Sequence, residues 1–161
     1  MAKAIVLEGF DGAGKSTLAK SLSDWLDCPV HTIGGPPANN FMAEVNCFQQ
    51  WMKLNRSIIM DRCTPISRLC YEDHLPDWHV QSLRRWLNSF KSKALVIYCR
   101  PREFMHEPSP HDTPEHLERI HRDGRHILRK YDALMKNIHH IKFDRFEQSE
   151  YYLRRGIMAC L

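Results

Sequence analysis

The stretch that most constrains the architecture of this 161-residue chain is GFDGAGKST, Gly9 to Thr17, which follows the apolar run AIVLE at residues 4–8 without a gap. Glycines placed where a strand must turn into a helix let the backbone take angles closed to other residues, so successive N–H groups can converge on one point. The positive end of the following helix favours an anion at that same point. The nine residues fit G-x-x-x-x-G-K-[ST], with Gly9, Gly14, Lys15 and Ser16 in the defining places, and the loop reads as a phosphate cradle. The backbone of Gly9, Gly12, Ala13 and Gly14 would line it, and Lys15 would reach the β- and γ-phosphates of a nucleoside triphosphate. Ser16 would offer its hydroxyl to Mg²⁺, and Thr17 would support the helix start or the α-phosphate. Average residue frequencies give about 0.006 chance matches in a chain this long, so the pattern is not accidental.

Around this loop, short apolar runs alternate with longer helical patterns. The strand-like runs are AIVLE 4–8, VHTI 30–33, SIIM 57–60, ALVIYC 94–99 and HIKF 140–143. Parallel strands need crossover connections, and near-continuous apolar strands need cover on both faces, so the alternation predicts an α/β fold with five strands between helical layers. The first helix carries Leu18, Leu22 and Trp25 inward, a second runs from about Phe41 to Leu54, and a third from Trp78 to Phe90. The best-marked helix spans Thr113 to about Ile138, with Thr113 as N-cap, Pro114 in the first turn, and Leu117, Ile120, Ile127, Tyr131, Leu134 and Ile138 along one side. Gly124 interrupts it and is expected to bend it.

Length fits a single domain over residues 1–161, and no apolar stretch approaches the ~20 residues of a membrane-spanning helix. The N-terminal residues lead into a strand and not into a secretory signal, so the expected location is the cytoplasm. Six cysteines at irregular spacing, without C-x-x-C, read as reduced thiols. A formal charge of +4 is compatible with phosphate-bearing ligands or DNA and decides nothing alone.

The cradle names a ligand and not a job. A guanine-specific switch needs an [NT]-K-x-D segment after a late strand, whereas the late strands here lead into RPREF and DRFEQ. Hydrolytic motors follow their magnesium aspartate with a water-activating glutamate, whereas IIMDR places Arg62 after Asp61. Phosphoryl transfer to an acceptor other than water fits better. Asp61 would hold Mg²⁺ directly or through water, and Arg62 would brace the acceptor or the charge on the transferring group. The second Asp-Arg pair, Asp144-Arg145, is placed on the far edge strand and reads as a surface ion pair.

With both motifs in hand, the chain resembles the thymidylate kinase-like P-loop kinases. LEGFDGAGKST is similar to that family's E-G-x-D-G-x-G-K-[ST] start, and DRCTPISRLCYE at 61–72 is similar to its D-R-x…S-x-x-x-Y segment, in the P-x-I-S-x-x-x-Y form associated with kinases of bacteriophages. The resemblance implies parallel strands in the order 2-3-1-4-5, ATP as donor, Mg²⁺, and a nucleotide-type acceptor. Carried across, it implies that Asp11 approaches the acceptor's sugar or hydroxyl and Arg62 its phosphate, with Ser67 and Tyr71 on the acceptor-side helix. Arg119, Arg122 and Arg125 are lid candidates, each also readable as a solvated helix-face charge. The same phage branch includes enzymes that phosphorylate 5-hydroxymethyluracil within DNA. A monophosphate attacks with an anionic oxygen, whereas a hydroxymethyl group must lose a proton, so Asp11 is readable either as sugar anchor or as base.

The remaining features carry weaker signals. IGGPPANN at 33–40 reads as an acceptor-side rim or an ordinary turn, and SLRRWLNSFKSK at 82–93 and YYLRRG at 151–156 read as amphipathic helices with basic faces or as DNA-contacting surfaces. His106, His111, His116, His121 and His126 recur every five residues, about 500° of helix, so they scatter around it and no zinc site is expected. Trp25, Trp51, Trp78 and Trp86 fit helix core faces, with Trp78 or Trp86 as borders of an acceptor pocket. The sequence therefore predicts an ATP- and Mg²⁺-dependent kinase, a phosphotransferase with Lys15, Asp11, Asp61 and Arg62 as its catalytic residues. The leading acceptor is the hydroxymethyl group of 5-hydroxymethyluracil in phage DNA, ahead of a free deoxynucleoside monophosphate such as thymidylate. The rival of another class is a non-catalytic nucleotide-binding module.

Overall fold

A computed structural model describes residues 4–32, 46, 49, 50, 53, 57–90, 92–100, 113–145 and 148–160. Strand β1 (Ala4–Glu8) leads through the glycine loop into helix α1 (Lys15–Leu26), then β2 (Val30–Thr32), β3 (Ile58–Asp61), α2 (Thr64–Tyr71), α3 (Asp77–Phe90), β4 (Ala94–Cys99), α4 (Pro114–Met135), β5 (His140–Phe143) and α5 (Glu150–Cys160). All four pairings are parallel, and the strand order is β2-β3-β1-β4-β5. This is the P-loop kinase fold. The register sets Leu7 opposite Asp61 and Glu8 opposite Tyr98, so both carboxylates end central strands at the same edge of the sheet.

The two-residue period of a strand divides the apolar residues cleanly between two layers. Ala4, Val6, Ile58, Met60, Val96 and Tyr98 pack with Ile66 and Cys70 of α2, Leu87 of α3, and Ile120, Ile127, Leu128, Tyr131 and Met135 of α4. Ile5, Leu7, Ile59, Leu95, Ile97 and Cys99 pack with Leu18, Ala19 and Leu22 of α1, and Leu153 and Ile157 of α5. Parity then assigns the two terminal carboxylates. Glu8 follows Ala4 and Val6 toward α2 and α4, while Asp61 follows Ile59 toward α1. On the α1 side, Ser21 donates to Glu150 at 2.6 Å and Arg154 donates to Ser21 at 3.0 Å, which ties α5 to the helix that leaves the loop.

The expected strands at 4–8, 94–99 and 140–143 form as read, and β3 lies one residue later than 57–60. Of 30–33 the structure describes 30–32 as strand, and Ile33 lies outside the described residues. The helix expected at 41–54 also lies mostly outside them, although residues 46, 49, 50 and 53 are helical. Helix α4 ends at Met135, three positions before Ile138, which lies buried just beyond it. Its start is as expected, with Thr113 accepting from the His116 amide at 3.2 Å and Pro114 in the first turn. Helical assignment continues through Gly124, which is itself buried. Trp25 and Trp86 pack against the core as expected, Trp51 lies outside the described residues, and Trp78 stands 67% exposed, so it is no core residue. Cys28, Cys63, Cys70, Cys99 and Cys160 are free thiols, and Cys47 lies outside the described residues. Among the described residues no helix is long and apolar enough to cross a membrane.

Candidate active site

The loop between β1 and α1 owes its path to glycine. Gly9 has φ 146°, and a Cβ there would sit 2.1 Å from the Cys99 carbonyl oxygen at the end of β4. Gly14, the N-cap of α1, has φ 78°, a left-handed angle that other residues adopt only at a cost. Within the loop, the Ala13 amide donates to the Phe10 carbonyl at 3.3 Å, and Lys15 Nζ donates to the same oxygen at 2.6 Å. Lys15 is buried. Burial, with a smaller push from the Arg62 charge, lowers its pKa from 10.5 to about 8, against the pull of Asp11. Ser16 and Thr17 stand exposed on the first turn of α1.

Asp61 closes β3 on the face shared with α1 and is buried. Among the described residues no side chain hydrogen-bonds its carboxylate, and no group of three or more His, Cys, Asp or Glu side chains gathers in metal-binding geometry. A carboxylate and a hydroxyl, Asp61 and Ser16, form a sparse set of hard oxygen donors. That set fits Mg²⁺, which keeps several waters and takes further ligands from substrate phosphates.

Arg62 has a positive φ of 82°, unusual for a side chain other than glycine. Two hydrogen bonds hold the chain there: the Arg62 amide donates to the Leu7 carbonyl at 3.0 Å, and the Cys63 amide donates to Glu8 Oε1. So held, the Arg62 guanidinium pairs with Asp11 Oδ1 and lies 5.5 Å from the centre of the Tyr71 ring. His116, in the first turn of α4, faces the other Asp11 oxygen, Oδ2, at 3.7 Å. Burial pushes the Asp11 carboxyl up, but Arg62, Lys15 and His116 outweigh it and hold the group below its usual range. Tyr71 packs against this cluster with its hydroxyl beside Asp11 and Arg62, and burial raises its pKa well above 10.0.

Glu8, fully buried, is the hub beneath these residues. Its carboxylate accepts from the Cys63 amide, from Ser67 Oγ at 3.2 and 3.3 Å, and from Tyr131 Oη at 3.0 Å. Burial raises its pKa despite Arg62, the Cys63 amide and Lys15. Three elements, β1, α2 and α4, thus meet on one side chain. Sequence reasoning passed over Glu8 as the last letter of a strand. A carboxylate ending an otherwise apolar run on a buried parity is the signal that could have found it.

The structure brings Asp11, Lys15, Arg62 and Tyr71 together around the loop, with Asp61 beside it. Ser67 lies under this cluster with its hydroxyl turned to Glu8. Among the lid candidates, Arg119 donates to the Tyr71 carbonyl at 2.6 Å, Arg122 pairs with its neighbour Asp123, and Arg125 is exposed. The reading of Asp144-Arg145 as a surface pair needs correction. Asp144 is buried, and Arg145 Cδ lies 2.7 Å from where a Cβ on Gly14 would stand, so this arginine covers the glycine loop. The three described histidines of the five-residue series diverge: His116 goes to Asp11, His126 to Asp73 at 3.2 Å, and His121 is exposed.

No family model matches the chain, and no curated protein matches its sequence. Solved structures share its fold. It is similar to the YorR protein of Bacillus subtilis in complex with phosphorylated GDP, at 23% identity and TM-score 0.57, over 98% of this chain and 94% of that one. It is also similar to the deoxyadenosine kinase of M. mycoides with products dCMP and dCDP bound, at 16% identity and TM-score 0.56, over 98% of this chain and 100% of that one. The same enzyme with dATP gives TM-score 0.55 at 16% identity, over 98% of both chains. At these identities the likeness is one of fold.

Proposed function

We propose that this protein is an ATP- and Mg²⁺-dependent kinase that transfers a γ-phosphoryl group to a nucleotide-type acceptor. The observation that carries the reading is the Arg62–Asp11 pair, which stands between the cradle and the acceptor-side helix one residue after Asp61. In this reading the pair sets donor and acceptor side by side, as in-line transfer demands. In this reading the loop amides and Lys15 grip the triphosphate, Ser16 and Asp61 hold Mg²⁺, and Arg62 stabilises charge on the moving phosphoryl group. Bound Mg²⁺ would neutralise charge on the β- and γ-phosphates. Ser67 bears on the acceptor side through Glu8, and Tyr71 through its place beside Asp11 and Arg62.

The leading acceptor is the hydroxymethyl group of 5-hydroxymethyluracil within phage DNA. Its support is the D-R-x…P-x-I-S-x-x-x-Y resemblance, together with a solvent face of α3 that carries Trp78, Arg84 and Arg85 exposed. A free deoxynucleotide is the second reading, favoured by the deoxynucleotides bound to the M. mycoides enzyme. Labelled ATP offered with thymidylate, with plain duplex, and with duplex containing hydroxymethyluracil separates them. Label in the modified duplex alone supports the first reading and label in thymidylate the second. Label in none, with ATP bound, leaves a nucleotide-binding module.

A further inference from the structure

We propose that the outer face of α3 is a docking surface for single-stranded DNA, on which Trp78 stacks an unpaired base while Arg84 and Arg85 meet the phosphates, an inference that rests on the DNA-acceptor reading above for its choice of partner.

The helix divides by its own period. Leu83 and Leu87 are buried, and at about 100° per residue Trp78, Gln81 and Arg85 project from the opposite side with Arg84 flanking them. All four are exposed. Trp78, at 67%, is an indole left in water, although a ring of that size ordinarily contributes by burial. Its setting is nonetheless fixed. The indole stacks on His79 with 5.0 Å between ring centres and 10° between planes, and Arg68 of α2 donates to His79 Nε2 at 3.4 Å. Glu72 in turn holds Arg68 at 2.7 and 3.1 Å. The ring is thereby braced toward the helix that carries Ser67 and Tyr71, while most of it stays open.

Charge selects the occupant. From Trp78 to Phe90 the sequence has no Asp or Glu, and Lys91 and Lys93 follow. Arg84 and Arg85 form no ion pair among the described residues, whereas the acids just before the helix are already met, Glu72 by Arg68 and Asp73 by Lys130 and His126. Asp77 opens the helix, where the positive end of the dipole favours a carboxylate. Two unpaired guanidiniums beside an open aromatic ring suit a polyanion that carries flat bases, its phosphates meeting the cations and a base the indole. A base within a duplex has both faces covered, so Trp78 takes an unpaired one. About 10 Å of helix separates Trp78 from Arg85, the rise of about three nucleotides in one strand.

The test titrates the whole protein, without ATP, into a short fluorescein-labelled single strand containing one 5-hydroxymethyluracil, and reads anisotropy from about 50 to 200 mM salt. The wild type should bind it, more weakly as salt rises, and should bind a duplex of the same sequence less well. Trp78→Ala should lower the affinity about 10-fold with the salt dependence unchanged, and Trp78→Phe should recover most of it. Arg84→Ala combined with Arg85→Ala should instead flatten the slope of log affinity against log salt by about 0.7 for each lost phosphate contact. Arg129→Ala, which removes an exposed arginine from α4, should match the wild type, and every variant should keep its affinity for ATP. With labelled ATP, the KM for the strand should rise in step with the weaker binding. Trp78 and arginine variants that bind and label the strand as the wild type does overturn this inference and leave the acceptor reading standing. A wild type that binds the strand through Trp78 and labels none overturns the acceptor reading and keeps the surface. A wild type that binds no strand overturns the inference, and a dimer in sedimentation that Trp78→Ala abolishes then assigns the face to a second copy of this chain.

Discussion

Tyr131, near the C-terminal end of α4, donates its hydroxyl to Glu8 Oε2 at 3.0 Å across 123 positions of sequence. The bond joins the helix that presents His116 to the strand that feeds the glycine loop, and through the Cys63 amide it reaches the turn that holds Arg62. Tyr131→Phe removes a donor from a buried carboxylate. The expected cost is about 1–3 kcal/mol, read as a lower urea midpoint, with a further loss of kcat from the loosened Arg62 turn. A variant as stable and active as the wild type would show that Glu8 does not depend on this helix.

Gly9→Ala should be more damaging than its size suggests. The added methyl would stand 2.1 Å from the Cys99 carbonyl, at a φ of 146° that alanine avoids. A loss of at least about 2–3 kcal/mol is expected in urea unfolding, together with weak ATP binding.

Lys15 predicts two opposite pH dependences. Below pH ~8 its ammonium is charged in folded and unfolded chains alike, so proton binding does not differ. Between about 8 and 10.5 the unfolded chain binds more protons, so stability rises with pH across that window without nucleotide. Lys15→Met should lack this gain. ATP, which prefers the charged ammonium, should bind less tightly as pH passes 8, with proton uptake measurable by calorimetry in buffers of different ionisation enthalpy.

Arg145→Ala tests the arginine that covers Gly14. Its guanidinium stands at the rim of the cradle, so the ATP KM should rise about 3–10-fold while the acceptor KM stays constant. An unchanged ATP KM would reduce the contact to packing.

Much of this protein was legible because it is written locally. The strand–loop–helix at Gly9–Thr17, three of the strand boundaries and the Thr113-Pro114 start of α4 follow from neighbouring residues, whose side-chain periods and backbone angles need no partner to be read. Even the two-layer core follows from strand parity once the sheet is assumed.

What the chain alone did not decide are meetings across long sequence separation. Glu8 finds Ser67 and Tyr131, Arg145 finds Gly14, and His116 finds Asp11 because parallel pairing brings distant turns to one edge of the sheet. A histidine series with no shared helix face and an Asp-Arg pair after the last strand carry no local mark of such contacts. Their roles depend on which side of the sheet each element packs, a choice made by burial of the whole core and not by any short stretch of sequence.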